Sequence, residues 1–313
     1  MNDSESSTGP QRNGDVVKNT GQFIQHIAYW YSDGSIVVRV DDQTIYKIHL
    51  SMLTKLSKVM EEILTIPDNK QADDPNREGT SLYPLFIPGT TSQEFNDFLF
   101  WLYRTEWESL GDDVEKERMC THLLKLADMW EIAAAKKYAI HALDMLYLPP
   151  SRRLELAGRF AIPDWVRPAV RRILDGKLSE LKDHDICAMG WKVYSMLVNA
   201  TEMLGQETRR TALVPPGMIK DPSIQCTDHA SCQSVWPKLW FDRIGRDLLH
   251  PKTPMKLGGI VTKVLQDATL THPKLSECCR LDMVLHCSRI IFADEDIVTQ
   301  VSNAIIQFHA TLA

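Results

Sequence analysis

The stretch "TIYKIHLSMLTKLSKVMEEIL", residues 44–64, changes period in its middle. Up to His49 it has the β-branched and aromatic alternation of a strand. Beyond it, Leu53, Leu56, Met60, Ile63 and Leu64 recur at helical spacing and predict one helix with a buried face. A strand feeding straight into a helix at His49 predicts a mixed α+β domain.

The flanking residues extend this pattern. "SIVVRV" (35–40), the polar turn "DDQ" and "TIYKIH" (44–49) read as a hairpin. "IPDNKQADDPNREGTSLYP" (66–84) reads as a flexible surface loop, and "LFIPG" as a third strand. "TTSQEFNDFLFWLY" opens with a capping box, Thr91 as N-cap and Glu94 three positions inside the helix. Phe95, Phe98, Leu99 and Leu102 form its apolar stripe. After an acidic connector, "TEWESLGDDVEKER", two segments predict a helical hairpin with Leu123, Leu124, Ala127 and Trp130 on one face. "YLPPS" breaks the chain at 147–151, and everything after it reads as helical. A second linker, "TALVPPGMIKDPS", spans 211–223, and Ile297, Val301, Ile305 and Phe308 mark a long C-terminal helical region.

The chain has 313 residues, 44% hydrophobic and 24% charged, enough for two or three cores. The expected division is a disordered tail over 1–25, an α/β domain over 26–148, a helical region over 149–210 and a helical C-terminal region over 211–313. The formal net charge of -6, with no basic stripe, argues against nucleic-acid binding. The N-terminus lacks the apolar core of a secretory signal, and no stretch reaches the ~18 apolar residues of a membrane span. These features predict an intracellular protein, cytoplasmic or nuclear, without membrane contact. Its seven cysteines are then free thiols or metal ligands rather than a disulfide frame. The sequon Asn199-Ala200-Thr201 would be idle there.

Tyr46, His49, Leu53 and Ser57, spaced Y-x-x-H-x-x-x-L-x-x-x-S across the first strand-to-helix junction, resemble the BTB/POZ signature. "LFIPGTTSQEFNDFLFWLY" resembles that family's third strand and following helix, and "LLKLADMWEIAAAKKYAIHAL" its terminal helix pair. The resemblance covers roughly residues 30–148. The tail segments "YLPPSRRLELAGRFAIPDWVRPAV" and "CTDHASCQSVWPKLW" are similar to those following this domain in many fungal proteins. The resemblance implies an α+β domain followed by an all-α, BACK-like extension. It implies protein partners: a second copy in a homodimer, or a cullin scaffold for which the chain is a ubiquitin-ligase substrate adaptor. Transcriptional co-regulation with a structural zinc in the tail is the alternative, and a metal-dependent hydrolase a remote one. Two departures bear on this. The hydrophobic-x-Glu motif of cullin-binding members finds only "MEE" (60–62), too early, and "IPD" (66–68). The basic residue after the histidine is Leu50, and Asp33 precedes the expected acidic site, so a charged dimer pocket is not expected. A dimer would rest on apolar contacts from residues around 23–36.

His49 reads as a structural pin. Its imidazole can donate to one backbone carbonyl and accept from one amide at the junction. No G-x-S-x-G elbow, Walker A loop, dinucleotide fingerprint or H-E-x-x-H pair is present, so an enzyme is not expected. The carboxylates of "DEDI" (294–297) are expected to open a helix and meet its dipole. Arg152, Arg159 and Arg172 are expected on a solvated surface, or against an acidic partner. "CTDHASC" spaces Cys226, His229 and Cys232 as C-x2-H-x2-C, with Cys278-Cys279 some fifty residues on. Three such side chains, with Cys278 or Cys279 as the fourth, could converge on one tetrahedral zinc. The other reading is two ordinary thiols and a turn histidine.

Overall fold

Two strands, β3 (Ile36–Arg39) and β4 (Thr44–Ile48), form the predicted antiparallel hairpin, in register from Ile36 opposite Ile48 to Arg39 opposite Ile45. They belong to a computed structural model that describes residues 16–19, 23–41, 43–65, 78–104, 111–215, 217, 226–266 and 272–312. The turn is closed by Asp41, whose carboxylate accepts from the amides of Gln43 (3.0 Å) and Thr44 (2.6 Å). The hairpin lies inside a five-stranded sheet of order β1-β2-β4-β3-β5. Here β1 is Val16–Asn19, β2 is Ile24–Trp30 and β5 is Leu85–Phe86. β2 runs parallel to β4, and β5 parallel to β3. Successive residues Ile36, Val37 and Val38 are all buried, so both faces of the hairpin are covered.

The chain divides into two compact units, Met1–Tyr147 and Leu148–Ala313. The first is α+β. The expected tail over 1–25 contains a strand, β1, and the start of β2, because β2 needs a partner on the edge away from β4. Residues 1–15 and 20–22 of that tail lie outside the described residues.

The single helix expected after His49 is two helices. α1 (Leu50–Leu56) ends at Ser57 in extended backbone, and α2 (Lys58–Thr65) follows. Ser57 causes the break. Its hydroxyl donates to the Trp130 carbonyl at 2.6 Å and accepts from the Met60 amide at 3.0 Å, so it caps α2 while leaving α1. Leu53 and Met60 are buried as expected, whereas Ile63 is exposed, and the Leu64 side chain is outside the described residues. Residues 66–77 of the expected loop also lie outside them. Its end is tied to the sheet: the Gly79 carbonyl accepts from the Val37 amide at 2.8 Å.

α3 (Ser92–Tyr103) begins with the predicted capping box. The Glu94 carboxylate accepts from the Thr91 amide (2.9 Å), and the Thr91 hydroxyl accepts from the Glu94 amide (3.3 Å). α4 (Asp113–Met129) and α5 (Ala133–Asp144) form the helical hairpin. α4 starts inside the expected acidic connector, because Asp112 caps it through the Glu115 amide at 2.9 Å. Leu123, Leu124, Ala127 and Trp130 are buried. Trp130 meets Phe98 edge-on at 5.0 Å and Phe95 at 6.2 Å, and Phe95 meets Tyr46 at 4.9 Å, which joins the helices to the hairpin.

The second unit is all helical: α6 (Pro150–Arg159), α7 (Val166–Asp175), α8 (Asp183–Met189), α9 (Trp191–Leu213), α10 (His229–Trp240), α11 (Arg246–Leu248), α12 (Gly259–Gln266) and α13 (Glu277–Ala310). The boundary expected at 210 falls inside α9, and α13 packs back on α6, α7 and α9, so 148–313 is one unit. The supposed linker starts as helix. Ala212 is fully buried, and the Thr211 carbonyl accepts from Trp240 Nε1 at 2.9 Å. Trp236, Trp240, Ile244, Leu248, Leu257, Ile260 and Val264 complete this core. A π turn at Phe241–Gly245 carries Gly245 so close to α9 that a Cβ would lie 2.6 Å from the Ala212 carbonyl oxygen.

One charge reading changes, while Arg159 and Arg172 are exposed as expected. The carboxylates at 294–296 sit inside α13 and do not open a helix. Asp294 and Glu295 pair with Arg171 at 3.2 and 3.1 Å, and Glu295 also with Arg167 at 2.8 Å. Arg152 pairs with Glu155 on its own helix at 2.7 Å. Among the described residues no helix is long and apolar enough to cross a membrane.

Three substitutions test this account. Ser57→Ala leaves the buried Trp130 carbonyl and Met60 amide without their partner and is expected to cost about 1–3 kcal/mol, read as a lower denaturant midpoint at unchanged slope. Gly190, between α8 and α9, has φ 82° and ψ 148°, and its Cβ would meet nothing within 4 Å. Gly190→Ala should therefore cost about 1–3 kcal/mol through backbone conformation alone. Gly258→Ala, equally open but without a positive φ, should change little.

Candidate functional site

Among the described residues, the sequence-predicted site residues fall in two clusters, one in each unit. In the first, His49 precedes α1 with extended backbone (φ -90°, ψ 110°). Its Nδ1 lies 3.0 Å from the Tyr103 hydroxyl at the end of α3, and its Nε2 lies 3.2 Å from the Asp33 carboxylate. The His49 backbone N–H donates to the same Tyr103 oxygen at 3.0 Å. One proton arrangement satisfies every group: Nε2–H donates to Asp33, the Tyr103 O–H donates to Nδ1, and the Tyr103 oxygen accepts the backbone amide. Tyr31 packs across both rings, 5.0 Å from His49 and 4.8 Å from Tyr103.

His49 is thus a pin, but with side-chain partners instead of the expected backbone ones. Asp33, set aside on sequence grounds, reaches it from the turn before β3. The His49 hydrogen bond holds the Asp33 carboxyl below its usual range. Burial pushes the Tyr103 phenol above its own, so the hydroxyl stays protonated. The trio resembles a relay, yet each ring nitrogen is engaged by a structural partner. Nothing in the spacing near His49 signals Tyr103, which is 54 residues away. Tyr46, Leu53 and Ser57, the other signature residues, are buried around this junction.

The second cluster lies between the starts of α10 and α13. Asp228 caps α10 by accepting from the Ser231 amide at 3.1 Å, which sets Cys226 just before the helix and His229 and Cys232 in its first turns. Ser276 caps α13 and sets Cys278 and Cys279 in that helix's first turn. The two ends meet. Cys226 Sγ is 3.7 Å from Cys232 Sγ, and Cys279 Sγ is 3.4 Å from His229 Nδ1. The sulfurs of Cys226, Cys278 and Cys279 all lie within 4.8 Å of one another. Of the four predicted site residues, Cys226 thus meets Cys232 and Cys279 meets His229, while the mutually close trio takes in Cys278 with Cys226 and Cys279.

Ser276, not foreseen, organises them. Its hydroxyl donates to Cys226 Sγ at 3.3 Å and lies 3.2 Å from Cys278 Sγ, while its amide donates to Cys232 Sγ at 3.3 Å. A serine three residues before Cys279 is an N-cap pattern that the sequence already carried. The Ser276 hydrogen bond lowers the Cys226 thiol to about 6, whereas burial pushes Cys279 up to about 12. His229 Nε2 is buried without a hydrogen-bond partner. The group can hold one soft divalent metal ion.

Compared with protein-family models, curated proteins and solved structures, the chain matches none.

The pin is checked by Tyr103→Phe. It removes the partner of the His49 amide and of Nδ1 and is expected to lower stability by about 1–2 kcal/mol in urea unfolding.

Proposed function

We propose that the first unit is a BTB/POZ-like protein-interaction domain, and that the chain acts as a self-associating scaffold or adaptor rather than as an enzyme. The observation that carries this reading is the order of elements around the signature residues. A hairpin runs through His49 into two short helices broken at Ser57. A strand parallel to the hairpin, a capped helix and a helical hairpin follow. Tyr46, Leu53 and Ser57 are buried at the joints of this arrangement, where a fold signature belongs. The pinned His49 supports a structural role over catalysis. Adaptor work for a cullin-type ligase and transcriptional co-regulation both fit such a module, and "IPD" (66–68), which bears on the first, lies outside the described residues.

Self-association is assigned to the apolar lead-in. Deleting residues 1–31 would remove β1 and β2 from the sheet, so a point substitution is the better test. Ile27, on β2, is 57% exposed. The full chain is expected to sediment as a dimer at micromolar concentration, and Ile27→Asp to give a monomer with unchanged circular dichroism. A wild-type monomer at every concentration would refute self-association. Recovery of a cullin on affinity purification of the full chain would select the adaptor role.

A further inference from the structure

We propose that Cys226, His229, Cys232 and Cys279 bind one structural zinc ion that joins the start of α10 to the start of α13. Distance is the first support. Zinc bonds of about 2.3 Å to sulfur and about 2.0–2.1 Å to nitrogen, at tetrahedral angles, separate two sulfurs by about 3.8 Å and a sulfur from a nitrogen by about 3.5 Å. The Cys226–Cys232 and Cys279–His229 Nδ1 separations are 3.7 and 3.4 Å. Each is the length of one edge of a coordination tetrahedron, and Cys226 and Cys279, one from each pair, lie within 4.8 Å of each other. A disulfide needs sulfurs about 2.05 Å apart and gives Cys279 and His229 no part.

Chemistry is the second support. Three thiolates and an imidazole are a soft donor set suited to zinc. Without a metal, thiols are weak hydrogen-bonding groups and gain little from one another. One Zn²⁺ with three thiolates carries a single net negative charge, and it would lie between two helix N-termini whose dipoles favour it. Ser276 is the positioning residue, since its hydroxyl and amide already hold Cys226 and Cys232.

The joint has a structural use. Residues 226–232 and 276–279 flank the core built on Trp236 and Trp240, and α13 continues onto α6, α7 and α9. Four protein ligands close the coordination sphere, so the metal has no open position for a substrate. Cys278 is a fifth donor nearby. We assign the place to Cys279 because it is buried and lies against His229.

The test is metal content of the full-length protein purified without chelator. The expected result is about one zinc per chain, and visible absorption typical of tetrahedral thiolate coordination after cobalt(II) exchange. Cys226→Ser, Cys232→Ser, Cys279→Ser and His229→Ala should each lose most of the metal, and Cys278→Ser should keep it. Should the ligand variants fail to fold, the wild-type chain decides alone. A strong chelator should lower its melting temperature, and zinc should restore it. Folded metal-free protein that takes up no added zinc overturns the proposal, as does a Cys226–Cys232 disulfide in its mass spectrum. Metal lost in Cys278→Ser but kept in Cys279→Ser overturns the ligand set.

Discussion

Burial of both faces of the β3–β4 hairpin is the constraint on which the first unit depends. A hairpin alone is marginal in water and gains stability only when its faces are covered. Here strands flank it on both edges, and Tyr46 carries one face into the rings of Phe95, Phe98 and Trp130. Ser57 then locks the turn between α4 and α5 to the break between α1 and α2. Its hydroxyl satisfies the nearby Met60 amide and the Trp130 carbonyl 73 residues away, which explains a buried polar residue in an apolar setting.

The second unit solves a different problem. Its helices are amphipathic, and each needs a neighbour. α9 and α13 are the long members on which the others pack. The ends are where backbone groups fall short of partners, and there the polar devices appear: Asp228 on α10, Ser276 on α13 and the Trp240 indole on the last turn of α9. A metal at the meeting of α10 and α13 would extend the same logic, because it would unite two helix starts.

His49 has both ring nitrogens engaged, and Cys226 lies against Cys232 as Cys279 does against His229. Either cluster resembles a reactive site when taken as a list of residue types. A catalyst needs an approachable group and a strut needs saturated partners, and His49 has the partners of a strut.

Much of this was legible in the sequence because it is local. The strand-to-helix switch at His49, the capping box at Thr91 and Glu94, and the stripe through Leu123, Leu124 and Ala127 all follow from spacings within one or two turns. The C-x2-H-x2-C spacing likewise singled out Cys226, which the fold sets beside Cys278 and Cys279. Long-range partners were not legible. The break at Ser57 depends on the Trp130 carbonyl, the carboxylates at 294–295 are occupied by Arg167 and Arg171 rather than by a helix dipole, and Asp33 and Tyr103 reach His49 from elements apart in sequence. Periodicity reports which face of a segment is apolar, whereas only folding decides which polar groups meet across the gaps, because those contacts depend on loop closure and packing that no local pattern encodes.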